Sequence, residues 1–479
     1  MIFLKKLFRR AAVSDRQSGQ VTVWMALAFL VFLSLYLVCL ESVWKQLQRQ
    51  QSEQASEAAV FSLFSEFEPH LLERYDLFYL DTSFGTGRER MDELCSHLWN
   101  FMENNITDRS GGSLYGLELK GVDLKNPVRA TDGRGAVFYR QAVQVMKEKR
   151  GASLAEDWLL QDMVEASAEE DSARFQEDCE AYEGSVEEYE AEEEEEELAD
   201  EAYQFDGLRN SFTLSMAVPG DRSWSDKRVD LTSAPSRRVL SQGTGRADGT
   251  EDRLLQKQWF VSYLCEYLTH AQEMLPGQKK AEYLDYQLEY IIGDMASDQE
   301  NLEIVVRRLL LMREGVNYVF LLSHPEFQGK AEVLADILAG FTGNPALVEG
   351  LKHLILLGWA YGESLVEVRQ LLGGYELAAV KTAEDWQVPL SRLLPLMGDP
   401  GKYDVQVKKQ QGIDYELCLR IFLMGESSEN LAMRAMDVIE GEWTREEGSE
   451  NMHLDHCVEQ LTAQIWLDGI SLERSCGYE

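Results

Sequence analysis

His453, Asp455, His456 and Cys457 stand within five residues of one another, and imidazole, carboxylate and thiolate are the donors that Zn²⁺ accepts. They lead into an alternating segment, Leu461 to Leu467, that reads as a closing strand. Neighbours on an extended chain point to opposite faces, so the four side chains are not expected to converge on one ion. The plainer reading is a polar turn, and no metal ligand is assigned. Ser42-x-x-Lys45 has the spacing of a Ser/Lys hydrolase pair, but it lies where an apolar run ends, and a lysine there anchors in lipid headgroups. Gly329-Lys330 resembles the end of a phosphate loop, yet His324 holds the first glycine position and Ala331 follows the lysine. Ionisable residues also sit in apolar surroundings: Glu289, then Arg307, Arg308 and Arg313 in one helical pattern, then Glu363. Such groups usually face solvent or pair within their domain, and a binding cleft is the functional alternative. No catalytic and no cofactor-binding residue is assigned, and no cofactor is expected.

The elements that must position these residues begin with the N-terminus. Val21 to Leu40 is a run of 20 residues without charge, Gly or Pro. As a helix it spans about 30 Å, the thickness of a bilayer's hydrocarbon core. Lys5, Lys6, Arg9, Arg10 and Arg16 precede it against Asp15 alone, so the positive-inside rule keeps residues 1–19 in the cytoplasm as a basic tail. The expected location is the cell membrane, crossed once by residues 20–40, with the C-terminal bulk extracellular. The run exceeds an ordinary signal-peptide core of about 7–15 residues, and no small-x-small cleavage site follows it. Gly19 ahead of an apolar helix resembles a pilin leader, but Trp24 stands at the mature fifth position where pilins usually carry Glu. From Glu41 to Phe67 there is no Gly or Pro, so the helix is expected to continue as a stalk over 41–68, stopped at Pro69.

The chain has 479 residues, 45% of them hydrophobic, so it can bury a core. Its formal net charge is -37, which excludes nucleic acid as a partner. The seven cysteines form no C-x-x-C pair; buried thiols are the plain reading, and Cys457 with Cys476 is the nearest pair for a disulfide. After the stalk, residues 69–160 read as a small α+β region: a short aromatic strand or turn at Arg74 to Asp81, helices near Met91 to Asn105 and Ala136 to Lys149, and a strand at Leu117 to Leu124. From Glu165 to Glu201 there are 19 acidic residues and one basic residue, so 161–205 reads as a solvated low-complexity linker.

Residues 206–479 read as the main domain, mostly helical. Helices are expected at Leu254 to Met274, Tyr286 to Met295, from a Ser297–Glu300 capping box to Leu322, and at Lys330 to Phe341. Others are expected at Pro345 to Trp359 after an Asn344 cap, at Leu365 to Leu372, at Tyr415 to Met424 and at Glu429 to Ile439. The fold class is therefore α+β and predominantly helical: an N-terminal transmembrane helix, a pilin-like helical stalk and a large extracytoplasmic domain.

Several segments together carry a resemblance. They are GQVTV leading into the membrane helix, Leu40-Glu41-Ser42, YDLFYLD at Tyr75 to Asp81, LDYQLEYIIG at Leu284 to Gly293, and SDQENL followed by RRLLLMREGVNYVFLL. WAYGESLVEVRQLL at Trp359 to Leu372, KTAEDW at Lys381 to Trp386 and MRAMDVIE at Met433 to Glu440 complete them. The chain resembles an uncharacterised family of single-pass envelope proteins from Gram-positive bacteria (Firmicutes), associated with tight-adherence (Flp/Tad-type) pilus gene clusters. The resemblance implies an assembly-associated envelope component and supplies no catalytic residue. The expected partners are membrane lipid, pilin-like or pilus-assembly proteins, and further copies of the chain in a homo-oligomer. An envelope hydrolase acting on wall polymers and a ligand sensor are the alternatives. A cytoplasmic tail of about 20 residues leaves a sensor no room for a signalling domain of its own.

Overall fold

A computed structural model describes residues 2–107, 112–150, 214–217, 224–245, 253–272, 281–340, 343–378, 380–393 and 412–478. The acidic stretch expected as a linker lies outside these residues.

Helix α1 runs unbroken from Ile2 to Phe64. Val21 to Leu40 is exposed throughout, and burial begins only at Ser52. From there the buried positions are small or apolar: Ser52, Ala55, Ser56, Ala59, Val60, Leu63 and Phe64. Their spacing forms one face of a helix. Pro69 ends the stalk and also starts α2 (Pro69–Tyr75), so Arg74 and Tyr75, expected in a strand or turn, are helical. The strand shrinks to β1 (Leu80–Asp81). Helix α3 (Met91–Ile106), strand β2 (Leu119–Arg129) and helix α4 (Asp132–Arg150) follow.

The helical body contains α5 (Arg253–Tyr267), α6 (Gln287–Gly293), α7 (Asp298–Ser323), α8 (Pro325–Ala339) and α9 (Pro345–Leu372). A short pair, β3 (Leu377–Ala378) with β4 (Gly412–Ile413), leads to α10 (Tyr415–Gly425) and α11 (Ser428–Trp443). Helix α5 stops at Tyr267, short of the expected Met274. The two helices expected between Pro345 and Leu372 are one: Gly358 and Gly362 are buried inside α9, where packing outweighs the helix-breaking tendency of glycine. Asn344 caps this helix by accepting from the Ala346 amide. Ser297 does stand at the start of α7, but its side chain makes no cap bond, and Glu300 pairs with Arg228 instead.

Strands β5 (Cys457–Leu467) and β6 (Ile470–Gly477) end the described chain. The expected closing strand is thus a central one. β5 pairs antiparallel with β2 along one edge, from Leu467↔Leu119 to Val458↔Arg129. Along the other edge it pairs with β6 and, at Val458↔Leu80, with β1. The alternation of β5 buries Leu461, Ala463, Ile465 and Leu467, and Val458 is buried out of phase ahead of them, where the register with β2 shifts. These residues form one core with the buried face of α1 and with Leu94, Leu98, Met102 and Ile106 of α3. The stalk therefore rests on a sheet built from both ends of the chain. The larger core lies among α2, α4, α5, α6, α7, the end of α9, α10 and α11.

Candidate functional site

Among the described residues α1 is the one helix long and apolar enough to cross a membrane, as an anchor or a signal sequence does. Its exposed stretch from Val21 to Leu47 is about 40 Å long and meets its own domain first at Trp44 and Gln48. Trp44 packs edge-on against Tyr115 with ring centroids 5.7 Å apart, and Gln48 Nε2 donates to the Tyr115 carbonyl at 2.8 Å. Two amphipathic rings at the exit of an apolar helix suit the headgroup zone. Lys45 pairs with Glu41 at 2.7 Å on the exposed helix surface, so the Ser42/Lys45 spacing brings no built site with it. Lys330 lies inside α8, paired with Glu326 at 2.8 Å, so no phosphate loop forms there.

Of the embedded charges, Arg307 bonds Glu303 one turn away, and Arg308 reaches Glu426; both arginines are exposed. Arg313 and Glu363 come together in the interior between α7 and α9. Arg313 grips Glu367 with Nε at 2.9 Å and Nη2 at 3.0 Å. Lys381, from the segment after β3, enters the same site: its Nζ bonds Asn317 Oδ1 at 2.8 Å, Glu363 Oε1 at 2.8 Å and Glu367 Oε1 at 2.7 Å. Glu363 also accepts from the Gln387 and Val388 amides, and Trp386 covers the ammonium at 4.4 Å. Burial opposes the charge on Glu367, but the attraction of Arg313 and Lys381 overrides it and holds the carboxyl below its usual range. At Glu363 burial prevails over Lys381, and its carboxyl is pushed up. Glu367, Asn317 and Lys381 were not singled out from the sequence. A usable signal existed: Glu363 and Glu367 are four residues apart on an apolar helix and share a face.

Glu289 stands apart from this network and is fully buried. Its Oε1 accepts from the Ala271 amide at 2.9 Å and from the Tyr415 hydroxyl at 2.7 Å, while Oε2 has no hydrogen-bond partner. Burial pushes its carboxyl up to about 7, against the pull of those two donors. Among the described residues, Glu289, Glu363 and Glu367 lie in the interior rather than across a cleft from one another. They face backbone amides and cations, as interior structural groups do.

The cluster near the C-terminus differs from its expected form. Leu454–His456 is a turn of 3₁₀ helix, so strand alternation does not separate these side chains. His453 Nδ1 lies 3.1 Å from Glu440 Oε1, on a helix 13 residues upstream in the chain. Asp455 bonds Arg238 at 2.5 Å and accepts from the Ser241 amide at 2.9 Å. Cys457 is turned away into the core, and burial raises its thiol far above the usual range. Cys39, Cys95, Cys265, Cys418, Cys457 and Cys476 are all free thiols.

These features define a class: a mostly helical α+β protein whose long apolar N-terminal helix precedes a larger domain held by buried charges. Residues 190–469 match the model of a family of unknown function, DUF5702, and the chain belongs to that family. No curated protein and no solved structure matches it. The matched segment takes in the helical body and all of β5, and it excludes α1.

Proposed function

We propose that this chain is a membrane-anchored, extracytoplasmic structural or assembly component of the cell envelope, accessory to a tight-adherence pilus or a related machine. The observation that carries the reading is the continuity of α1. One helix supplies an exposed apolar length that suits a bilayer and then a stalk seated on an antiparallel sheet. The stalk keeps an outer face as well: Gln54, Ala58 and Phe61 are exposed, Phe61 at 74%. An exposed aromatic on a helix about 30 Å beyond the apolar span suits helix packing with a pilin-like neighbour. The embedded carboxylates favour this reading over a wall hydrolase, because they are committed to internal hydrogen bonds.

Single cysteines placed at Leu47 and Phe61, in a background lacking Cys39, test the proposal by crosslinking in intact cells. Adducts with pilin-like or assembly proteins are expected, together with cleavage of the C-terminal bulk by external protease. Crosslinks to lipid alone, with pili assembled normally after deletion of the gene, would refute the assembly role. A protease-inaccessible, freely soluble domain would refute the anchored topology.

A further inference from the structure

Helix α11 ends beside the 3₁₀ turn Leu454–His456, and the two bring Glu440, His453 and Asp455 together. One ligand atom from each lies within 4.8 Å of the others. The 3.1 Å between His453 Nδ1 and Glu440 Oε1 is what two adjacent donors show when each stands about 2.0–2.2 Å from one ion. A second imidazole stands beside the cluster. His456 is buried, and its Nδ1 has no hydrogen-bond partner. Its ring centroid lies 5.8 Å from that of His453.

The cluster is also short of positive charge. Arg238 Nη2 bridges Glu440 Oε2 at 3.1 Å and Asp455 Oδ1 at 2.5 Å, so two carboxylates share one guanidinium. Glu440 Oε1 is bonded to the imidazole rather than to the arginine. The Ser241 amide donates to the second Asp455 carboxylate oxygen at 2.9 Å.

We propose that Glu440, His453 and Asp455 bind one first-row divalent transition-metal ion. An imidazole with two carboxylates favours such an ion over Ca²⁺ and Mg²⁺, which prefer all-oxygen shells. Arg238 remains as an outer partner of both carboxylates, in the way carboxylate ligands are commonly supported from behind. The ion ties the end of α11 to the start of β5, the central strand of the sheet that seats the stalk. The site is a clamp between the helical body and the sheet, and it stands whether or not the chain serves pilus assembly.

The full chain, purified in detergent and stripped with a chelator, is titrated with Zn²⁺ by calorimetry and with Co²⁺ by visible absorption. One equivalent is expected, with the d–d bands of a nitrogen- and oxygen-ligated ion. His453→Ala weakens both ions at least tenfold, the loss expected for a missing ligand. The His453 side chain is one-third exposed, so this variant folds. Glu440→Gln gives the same loss if it folds, and the His453 variant decides the matter if it does not. Equal affinity for Ca²⁺, or binding that His453→Ala leaves unchanged, overturns the proposal. A strong thiolate-to-cobalt band unaffected by that variant would place the ion on cysteine and also overturns it.

Discussion

Replacing Lys381 by Met keeps the bulk of the side chain and removes its charge. The ammonium makes three bonds of 2.7–2.8 Å, and its side chain is 5% exposed. Its loss leaves Glu363 without a cationic partner and Glu367 with Arg313 alone. Removing one member of a buried, hydrogen-bonded ion pair costs about 3–5 kcal/mol, most of it from the charge left behind. For a unit of about 150–250 residues each kcal/mol lowers the melting temperature by about 2–4 °C, so the midpoint should fall by roughly 6–20 °C. Thermal unfolding of the detergent-solubilised chain, followed by circular dichroism, reads this directly. Lys330→Met, on the exposed pair with Glu326, should leave the midpoint unchanged. Two further outcomes test the cause. Adding Glu363→Gln to Lys381→Met should recover part of the loss, because the uncompensated charge is gone. The Lys381→Met defect should also shrink at pH 5 relative to pH 8. Glu363, already raised by burial, loses the cation that opposes that shift, so its contribution to stability is present at low pH and lost as pH rises. A Lys381→Met midpoint equal to that of the Lys330→Met control would refute the reasoning.

Glu289→Gln should flatten the pH dependence on the alkaline side. A carboxyl raised from 4.5 to about 7 gives stability that is full below pH 4.5 and lost as pH rises through about 7, a change on the order of 3 kcal/mol, so the variant should gain on the native chain at pH 8 in urea titrations. His270, lowered to about 4 by burial, acts in the opposite sense, and its contribution, present above pH 6.5 and lost as pH falls through about 4, should survive in that variant as an acid limb. Gly243→Ala should cost about 2 kcal/mol or more, because a Cβ there would overlap the Pro127 carbonyl oxygen and the Asp132 carboxylate; protease nicking near residue 243 should rise with it. Ala59→Leu should destabilise the stalk seat by about 1–3 kcal/mol, whereas Ala58→Leu on the exposed face should not, as hydrogen exchange in α3 would show.

What could be read from the sequence was whatever local periodicity or a cap determines. The apolar run at Val21 to Leu40, the Asn344-Pro345 start of α9 and the alternation from Leu461 to Leu467 each announce themselves within a few residues. Most of the misses share a cause: the deciding partner was far away in the chain. The Ser297–Glu300 box is a sound local signal, but Asp298 beside it is drawn inward to accept the Asp285 and Tyr286 amides, and Arg228 takes Glu300. Gly358 and Gly362 look like a break until both are seen buried within α9. Strand β6 was missed although Asp468-Gly469 is a hairpin signature, with Gly469 at a φ of +71°. In the charged interior, Arg313 and Glu363 stood out because their neighbours are apolar. Lys381 did not, because its own surroundings, KTAEDW, look like an exposed loop. Glu440 was missed for the metal-like cluster for the same reason, since it belongs to a helix that reads as amphipathic by itself.

The acidity of this protein then has two physical roles that composition cannot separate. One is the solvated excess that repels phosphates. The other is structural and interior, because the irregular segments carry backbone amides with no ladder to join, and a buried amide needs an acceptor. Carboxylates on the regular elements supply them. Asp132 at the start of α4 takes the amides of Arg129, Gly243 and Gly245. Glu442 and Asp437 on α11 take those of Glu282, Tyr283 and Ser236. Glu363 on α9 takes Gln387 and Val388. A carboxylate suits this task better than a neutral amide, since one group accepts several charge-assisted bonds at once. It follows that each segment is held by a carboxylate from a distant part of the chain, and removing that carboxylate should free the segment it fastens. Asp132→Ala should therefore free the amides near 243–245, and Glu442→Ala those near 282–283, before either variant exposes α7 or α9. Hydrogen exchange that left those segments as protected as in the native chain would show instead that the carboxylates are incidental to how the segments are held.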